Sequence, residues 1–85
     1  MKTNKPEYFT ILGQEAVYFN DRIEVYVPDE DVGSKILIKL ANAILDKKIK
    51  SLRINLPNKI IFVSAHDNQQ LLIRAEECND KKVMN

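Results

Sequence analysis

The sequence predicts an α+β fold in which one central helix packs on an antiparallel sheet, in the element order β-β-β-α-β-β-β. Three observations support this prediction. Residues 32–48 combine a broad apolar surface with a narrow polar stripe at helical spacing. Residues 22–27 and 52–56 alternate between apolar and polar side chains, as half-buried strands do. Short turn-forming segments separate these stretches from further strand-like segments, and short connections favour local antiparallel pairing.

The first third of the chain contains three predicted strands. Residues 7–12 and 16–19 are rich in aromatic and β-branched side chains and flank a turn at Gly13. Residues 20–21 suit a two-residue hairpin loop that leads into the third strand, residues 22–27. We expect this third strand to point alternate side chains to opposite faces: Ile23, Val25 and Val27 inward, and Arg22, Glu24 and Tyr26 outward.

The central helix is the most apolar segment of the chain. Pro28 closes the preceding strand, and residues 29–31 supply an acidic N-cap and first turn, which suit the positive end of the helix dipole. Lys47 and Lys48 suit its negative end. Apolar side chains cover roughly 240° of the circumference, whereas a helix on one sheet needs little more than ~100°. This helix is therefore either sunk in a curled sheet, with a terminal segment across its back, or packed against a second subunit.

Three more strands follow the helix. Residues 52–56 direct Leu52, Ile54 and Leu56 towards the core, and Pro57 with Asn58 forms a turn. Residues 59–64 are apolar on both faces, which is typical of a central strand or of one covered on its second side. Residues 65–69 form a polar turn, and residues 70–75 form the last strand. The last two strands are expected to divide their apolar side chains between the faces: Ile61, Val63 and Leu72 on one, and Ile60, Phe62, Leu71 and Ile73 on the other.

The chain of 85 residues predicts one domain, residues 7–77, between flexible ends at 1–6 and 78–85. A domain of this size has barely enough core to be stable alone, and oligomerisation is one ordinary remedy. Cys78 is the only cysteine, which excludes a disulfide within the chain and suits a reducing cytoplasm. The longest apolar run is four residues, 60–63, so no membrane span is expected.

Catalytic and ligand-binding motifs are absent from the sequence. Its two glycines cannot build a P-loop or a dinucleotide fingerprint. One histidine and one cysteine do not make a clustered metal site. His66 has a neighbouring serine at Ser64 but no evident third group to orient it. We therefore expect neither enzymatic activity nor a cofactor or metal, and the roles of His66 and Cys78 stay open.

The net charge of +1 hides an uneven distribution. Residues 1–34 carry three basic and seven acidic side chains, whereas residues 35–59 carry seven basic and one acidic. If Arg53 and Lys59 share a sheet face across their hairpin, this segment forms a positive band suited to a phosphate backbone. No aromatic residue interleaves with these basic ones, so base stacking is not expected. The candidate nucleic-acid contacts are Lys35, Lys39, Lys47, Lys48, Lys50, Arg53 and Lys59.

The surplus of apolar surface, without a catalytic motif, predicts a small cytoplasmic interaction module. We expect it to form a homodimer or higher oligomer and to regulate or inhibit an unknown protein partner. Short single-domain chains of this kind suit a phage or a mobile element. A nucleic-acid-binding regulator that uses residues 35–59 is the alternative. The expected interface residues lie on the outer helix flank and on the sheet: Ile38, Ala41, Leu45, Tyr26 and Leu72.

Overall fold

A computed structural model describes residues 5–67 and 70–77, which form a two-layer α+β fold with one helix on one face of a six-stranded sheet. The element order is β-β-β-α-β-β-β, as the sequence predicts. Residues 1–4 of the expected N-terminal segment 1–6 lie outside the described residues, as does the whole expected C-terminal segment 78–85. The elements are β1 (Glu7–Ile11), β2 (Gln14–Phe19), β3 (Arg22–Tyr26), α1 (Glu30–Leu45), β4 (Ser51–Asn55), β5 (Lys59–Asp67) and β6 (Gln70–Glu77).

The six strands lie in the sheet in their sequence order, as two antiparallel meanders that meet at β3 and β4. These two central strands are parallel, so the sheet is mixed and the prediction of a wholly antiparallel sheet is wrong at this position. The reason is that α1 returns the chain to the end of the sheet where β3 began. Lys50 N donates to the Asp21 carbonyl at 2.6 Å at that end, and Val27 N donates to the Asn55 carbonyl at 3.0 Å at the other.

The helix begins two residues before the predicted start and ends three residues before the predicted end, Lys48. Asp29 is its N-cap, and the Asp29 carboxylate accepts a hydrogen bond from Val32 N at 3.0 Å. Lys47 has a φ of 64°, in the left-handed region, and therefore ends the helix. The predicted acidic first turn is confirmed, whereas the two expected C-terminal lysines lie just beyond the last turn.

The core lies between α1 and the covered face of the sheet, mainly over the central strands. The residues predicted to point inward from β3 and β4 are all buried, together with Val27 and Leu56 just beyond these strands. Gly33, Ile36 and Ile44 are the buried residues of the helix. The largest fully buried side chains are Ile36, Ile44, Leu52, Ile54, Val25 and Val63.

The faces of the last two strands differ from the prediction. Val63 pairs with Ile73, and Ser64 with Leu72, so Ile73 faces the helix while Leu72 faces the other side. The expected grouping of Leu72 with Val63 is therefore wrong. β5 continues to Asp67, through residues that resemble a polar turn, and an irregularity in the pairing follows Ala65. One additional residue in a strand reverses which side chains face the core.

Gly33 allows the first turns of α1 to approach the ends of β3 and β4 closely. A Cβ atom at Gly33 would lie 3.3 Å from Ile54 Cγ2 and 3.6 Å from Val27 Cγ2. A single methyl group would thus fit only if Ile54 moves by a few tenths of an ångström, and a longer side chain would displace the helix.

Substitution of Gly33 should therefore depend on side-chain size. We expect Gly33→Leu to lower the free energy of unfolding by about 1–3 kcal/mol through overpacking. Gly33→Ala should stay within about 1 kcal/mol of the wild type, because its better helix propensity offsets the tight contact. Ser34→Leu, at the exposed neighbouring position, is the matched control, with an expected change below about 0.5 kcal/mol. Denaturant titration measures all three, and equal stability of the two leucine variants would contradict the close approach.

Candidate functional site

The sheet has one covered face and one open face. α1 packs on the first, and no element of residues 5–67 and 70–77 packs on the second. The pairing register places one residue from each strand in a single row across the middle of this open face. From β1 to β6 the row is Tyr8, Val17, Glu24, Arg53, Phe62 and Arg74. The other large apolar side chains of the open face are Phe19, Tyr26, Ile60 and Leu72.

Glu24 is the centre of a hydrogen-bonded network on the open face. Its Oε2 atom accepts from Asn55 Nδ2 at 3.0 Å and from the Tyr26 hydroxyl at 3.2 Å. Arg53 Nε lies 3.5 Å from the same oxygen. Asn55 also donates to the Val25 carbonyl at 3.3 Å, which fixes its amide. The parallel register brings these groups together, because it sets Glu24 opposite Arg53, and Tyr26 opposite Asn55.

Phe62 lies between two arginines in the row. The Arg53 guanidinium carbon is 5.6 Å from the ring centroid, and the Arg74 guanidinium carbon is 5.2 Å from it. Both distances are within the range in which a cation is attracted to the face of an aromatic ring. Arg74 Nη2 also lies 4.0 Å from Glu76 Oε2. A ring and two guanidinium groups are thus held in defined positions on a surface that is open to solvent.

A shallow cavity of about 270 Å³ lies next to this cluster on the open face. Its wall is partly aromatic and aliphatic and partly charged, so it suits an amphipathic side chain of a binding partner better than a wholly polar group. The residues that line it are Val17, Phe19, Arg22, Ile23, Glu24, Ser51, Arg53 and Phe62.

The five residues expected at an interface do not form one surface. Tyr26 and Leu72 lie on the open face, whereas Ile38, Ala41 and Leu45 lie on α1, on the other side of the sheet. The side chain of Ile38 is 74% exposed, but Ala41 and Leu45 are half-buried. Much of the predicted surplus on the helix is therefore covered by its own chain, and the larger exposed apolar surface belongs to the sheet.

The basic residues of segment 35–59 do not form one band either. Leu56 N donates to the Lys59 carbonyl at 2.9 Å, and Lys59 forms an ion pair with Glu30 on the helix side. Arg53 lies on the open face, so Arg53 and Lys59 do not share a face and the condition for one positive band is not met. Lys35 pairs with Asp31 at 3.3 Å within α1. The remaining members are exposed on the helix and on its exit loop: Lys39, Lys47, Lys48 and Lys50.

Sequence inspection missed the cluster of Arg53, Phe62 and Arg74. The sequence shows no aromatic residue between the basic residues of segment 35–59, because Arg53, Phe62 and Arg74 are far apart along the chain. The pairing of β4 with β5 and of β5 with β6 makes them direct neighbours. The available signal was the apolar character of residues 59–64 on both faces, which indicates a second surface.

Within residues 5–67 and 70–77, no three His, Cys, Asp or Glu side chains cluster in a way that could hold a metal ion. In the same part of the chain, α1 is too short and too polar to cross a membrane. His66 is exposed near the end of β5. Cys78 lies outside the described residues.

The Glu24 network should be visible in the titration of Tyr26. The pKa of Tyr26 is raised above its ordinary value of 10.0, mainly by the negative charge of the nearby Glu24 carboxylate. Burial of the hydroxyl and its hydrogen bond to Glu24 raise the pKa further. Because the pKa is higher in the folded state, the protonated Tyr26 hydroxyl contributes its full stabilisation of the fold at pH values below the unfolded pKa. This stabilisation is lost as the pH rises through the folded pKa. Glu24→Gln should therefore lower the pKa of Tyr26 towards 10.0 and remove that part of the alkaline destabilisation.

Tyrosinate absorbance measures this titration in a Tyr8→Phe/Tyr18→Phe background, where Tyr26 is the only tyrosine left. Glu76→Gln removes an exposed carboxylate of the same open face on β6, three strands from the strand of Tyr26; it is the matched control and should leave the pKa of Tyr26 unchanged. An identical titration of Tyr26 with and without the Glu24 carboxylate would refute the network.

No family model, no curated protein and no solved structure matches this chain. What the protein does must therefore be inferred from the geometry and chemistry of the open face.

Proposed function

We propose that this protein is a non-enzymatic interaction module of the cytoplasm that self-associates and regulates or inhibits a protein partner. The open face of the sheet is the surface that binds this partner. The observation that carries the proposal is the cluster of half-buried Phe62 with exposed Arg53 and Arg74 on the open face, in which the Glu24 network holds Arg53.

The side chains of the open face are of the types that contribute most to protein binding. Tyrosine, phenylalanine and arginine are enriched at the centres of protein interfaces, and a few anchors of this kind supply most of the binding energy. Arg53 and Phe62 already restrain each other in the free protein, so less conformational entropy is lost when a partner binds. The shallow cavity beside Phe62 offers a place for one anchor side chain of the partner.

The charges of the open face favour a protein over a polyanion. The strand residues that point to this face include three arginines, Arg22, Arg53 and Arg74, and three glutamates, Glu15, Glu24 and Glu76. A face with balanced charge gives little long-range attraction for a phosphate backbone, whereas it suits a partner of mixed charge. A module of this kind would act by occupying a surface of its partner.

Single-stranded nucleic acid is a second candidate ligand, favoured by one observation. Phe62 with an arginine on each side resembles a stacking platform, on which bases and guanidinium groups share an aromatic ring. Titration with a labelled single-stranded oligonucleotide at low salt tests this function. Binding that falls steeply with salt would support it, and no binding at about 50 mM salt would exclude it.

The protein-binding proposal predicts a large effect of Phe62→Ala. We expect this variant to lose at least about 2 kcal/mol of binding free energy, about 30-fold in Kd, because Phe62 organises both arginines. The partner is identified by affinity capture from the native host, then purified, and its Kd is measured by calorimetry. Lys39→Ala, on the exposed side of α1, is the control and should bind like the wild type.

The binding data need a check of folding. Phe62 is half-buried on the open face and is not part of the buried core, so the thermal unfolding of Phe62→Ala should stay cooperative. A purified partner that binds wild type and folded Phe62→Ala equally would overturn the assignment of the open face.

A further inference from the structure

The two edges of the sheet differ in how well they could pair with another strand. β1 has five residues and directly follows Pro6, whereas β6 has eight residues and no proline. An edge strand exposes a row of unpaired N–H and C=O groups, and proline is one of the features by which proteins protect such edges. β6 is therefore the edge that is better suited to accept a further strand.

The side chains of β6 also leave apolar surface exposed on both faces of the sheet. Leu72 is 53% exposed on the open face, and Ile73 is 53% exposed on the helix side. Ile73 borders a groove of about 120 Å³ beneath α1, which Leu37 and Ile61 also line. β6 carries three charged side chains, Arg74, Glu76 and Glu77. Arg74 and Glu76 pair with each other on the same strand, and Glu77 is the last residue of β6.

We propose that two copies of this chain pair through β6, antiparallel, about a two-fold axis at Ile73. The two sheets would then join into one continuous sheet, with both helices on one side and both open faces on the other. This inference rests on the self-association in the proposed function and identifies the surface that produces it.

Symmetry limits which registers are possible. A two-fold axis perpendicular to the sheet keeps helix-side residues opposite helix-side residues. One residue must therefore lie opposite its own copy at the centre of the register, with the axis midway between the two copies. A centre at Arg74 would set this arginine opposite its own copy and Leu72 opposite Glu76. A centre at Leu72 would pair only residues 70–74 of the strand. A centre at Ile73 pairs residues 70–76 and opposes no like charges.

The register centred on Ile73 is complementary at each position. On the helix side, Ile73 meets its own copy and Leu71 meets Ala75. On the open face, Leu72 lies beside the stem of Arg74, and the Gln70 amide lies opposite the Glu76 carboxylate, to which it can donate a hydrogen bond. The dimer also brings the two Phe62 clusters towards the centre of one broader face. A partner could then bind both copies at once.

Disulfide trapping tests the register directly. In a Cys78→Ser background, Ile73→Cys should form a disulfide-linked dimer under mild oxidation. The two Cα atoms would lie about 5 Å apart, within the range of a disulfide. Ala75→Cys is the matched control and should not cross-link, because its two copies would be about four residue steps, ~13 Å, apart. The double variant Leu71→Cys/Ala75→Cys should cross-link, because these two positions oppose each other.

Sedimentation of the unmodified protein and of Ile73→Lys tests the edge without cross-linking. We expect a dimer whose Kd rises at least tenfold in Ile73→Lys, because two ammonium groups would then face each other. Ile38→Lys, a more exposed isoleucine on α1, should dimerise like the wild type. A dimer unaffected by Ile73→Lys would overturn the β6 edge but leave self-association intact.

The other outcomes are equally informative. A wild-type monomer at about 100 μM would overturn both the edge and the self-association, while binding of a partner to the open face would still be decided by Phe62→Ala. If the Ala75→Cys variant cross-links and the Ile73→Cys variant does not, the register centred on Ile73 is overturned. Assemblies that grow beyond a dimer would indicate β6 pairing with β1 of the next copy, an open arrangement, and would overturn the closed dimer.

Discussion

The parallel pairing of β3 with β4 is the constraint on which the other features of this structure depend. It exists because α1 carries the chain back along the sheet before β4 begins. The same crossover sets the helix on one face only and leaves the opposite face open. It also joins two antiparallel meanders side by side, so that the first strand and the last strand of the chain become the two edges.

The chemistry of the open face follows from that pairing. The parallel register sets Glu24 opposite Arg53, and the antiparallel pairing of β4 with β5 sets Arg53 opposite Phe62. The last pairing adds Arg74 on the far side of the ring. A carboxylate, two guanidinium groups and an aromatic ring are thus linked through four neighbouring strands. Each contact is modest alone, but together they restrict the side chains of a solvent-exposed surface.

Sequence patterns predicted the elements and the core of this protein better than their arrangement. The alternation in β3 and β4 identified the buried positions, because both strands are covered on one face only. The same alternation contains no information on which strand lies beside which, so it could not predict the parallel pair. The faces of β6 were wrong because β5 extends to Asp67 and its pairing is irregular after Ala65.

The candidate site illustrates the same limit. Tyr26 and Leu72, the two expected interface residues on the sheet, both lie on the open face. The importance of Phe62 depends on neighbours from two other strands, and only the register reveals them. The width of the apolar arc overestimated the apolar surface of the helix that stays exposed. A helical projection contains no information on how much of the helix the sheet covers. Ile38 alone among its three expected contacts is largely exposed.

The crossover also has a kinetic consequence. Each three-stranded meander consists of hairpins whose partners are close along the chain, so each can begin to form through local loop closure. Joining β3 to β4 instead brings together Arg22 and Ser51, which have the whole helix between them. The entropy of closing that longer loop must be overcome before the core is complete, which makes the docking of the two halves the natural late event in folding.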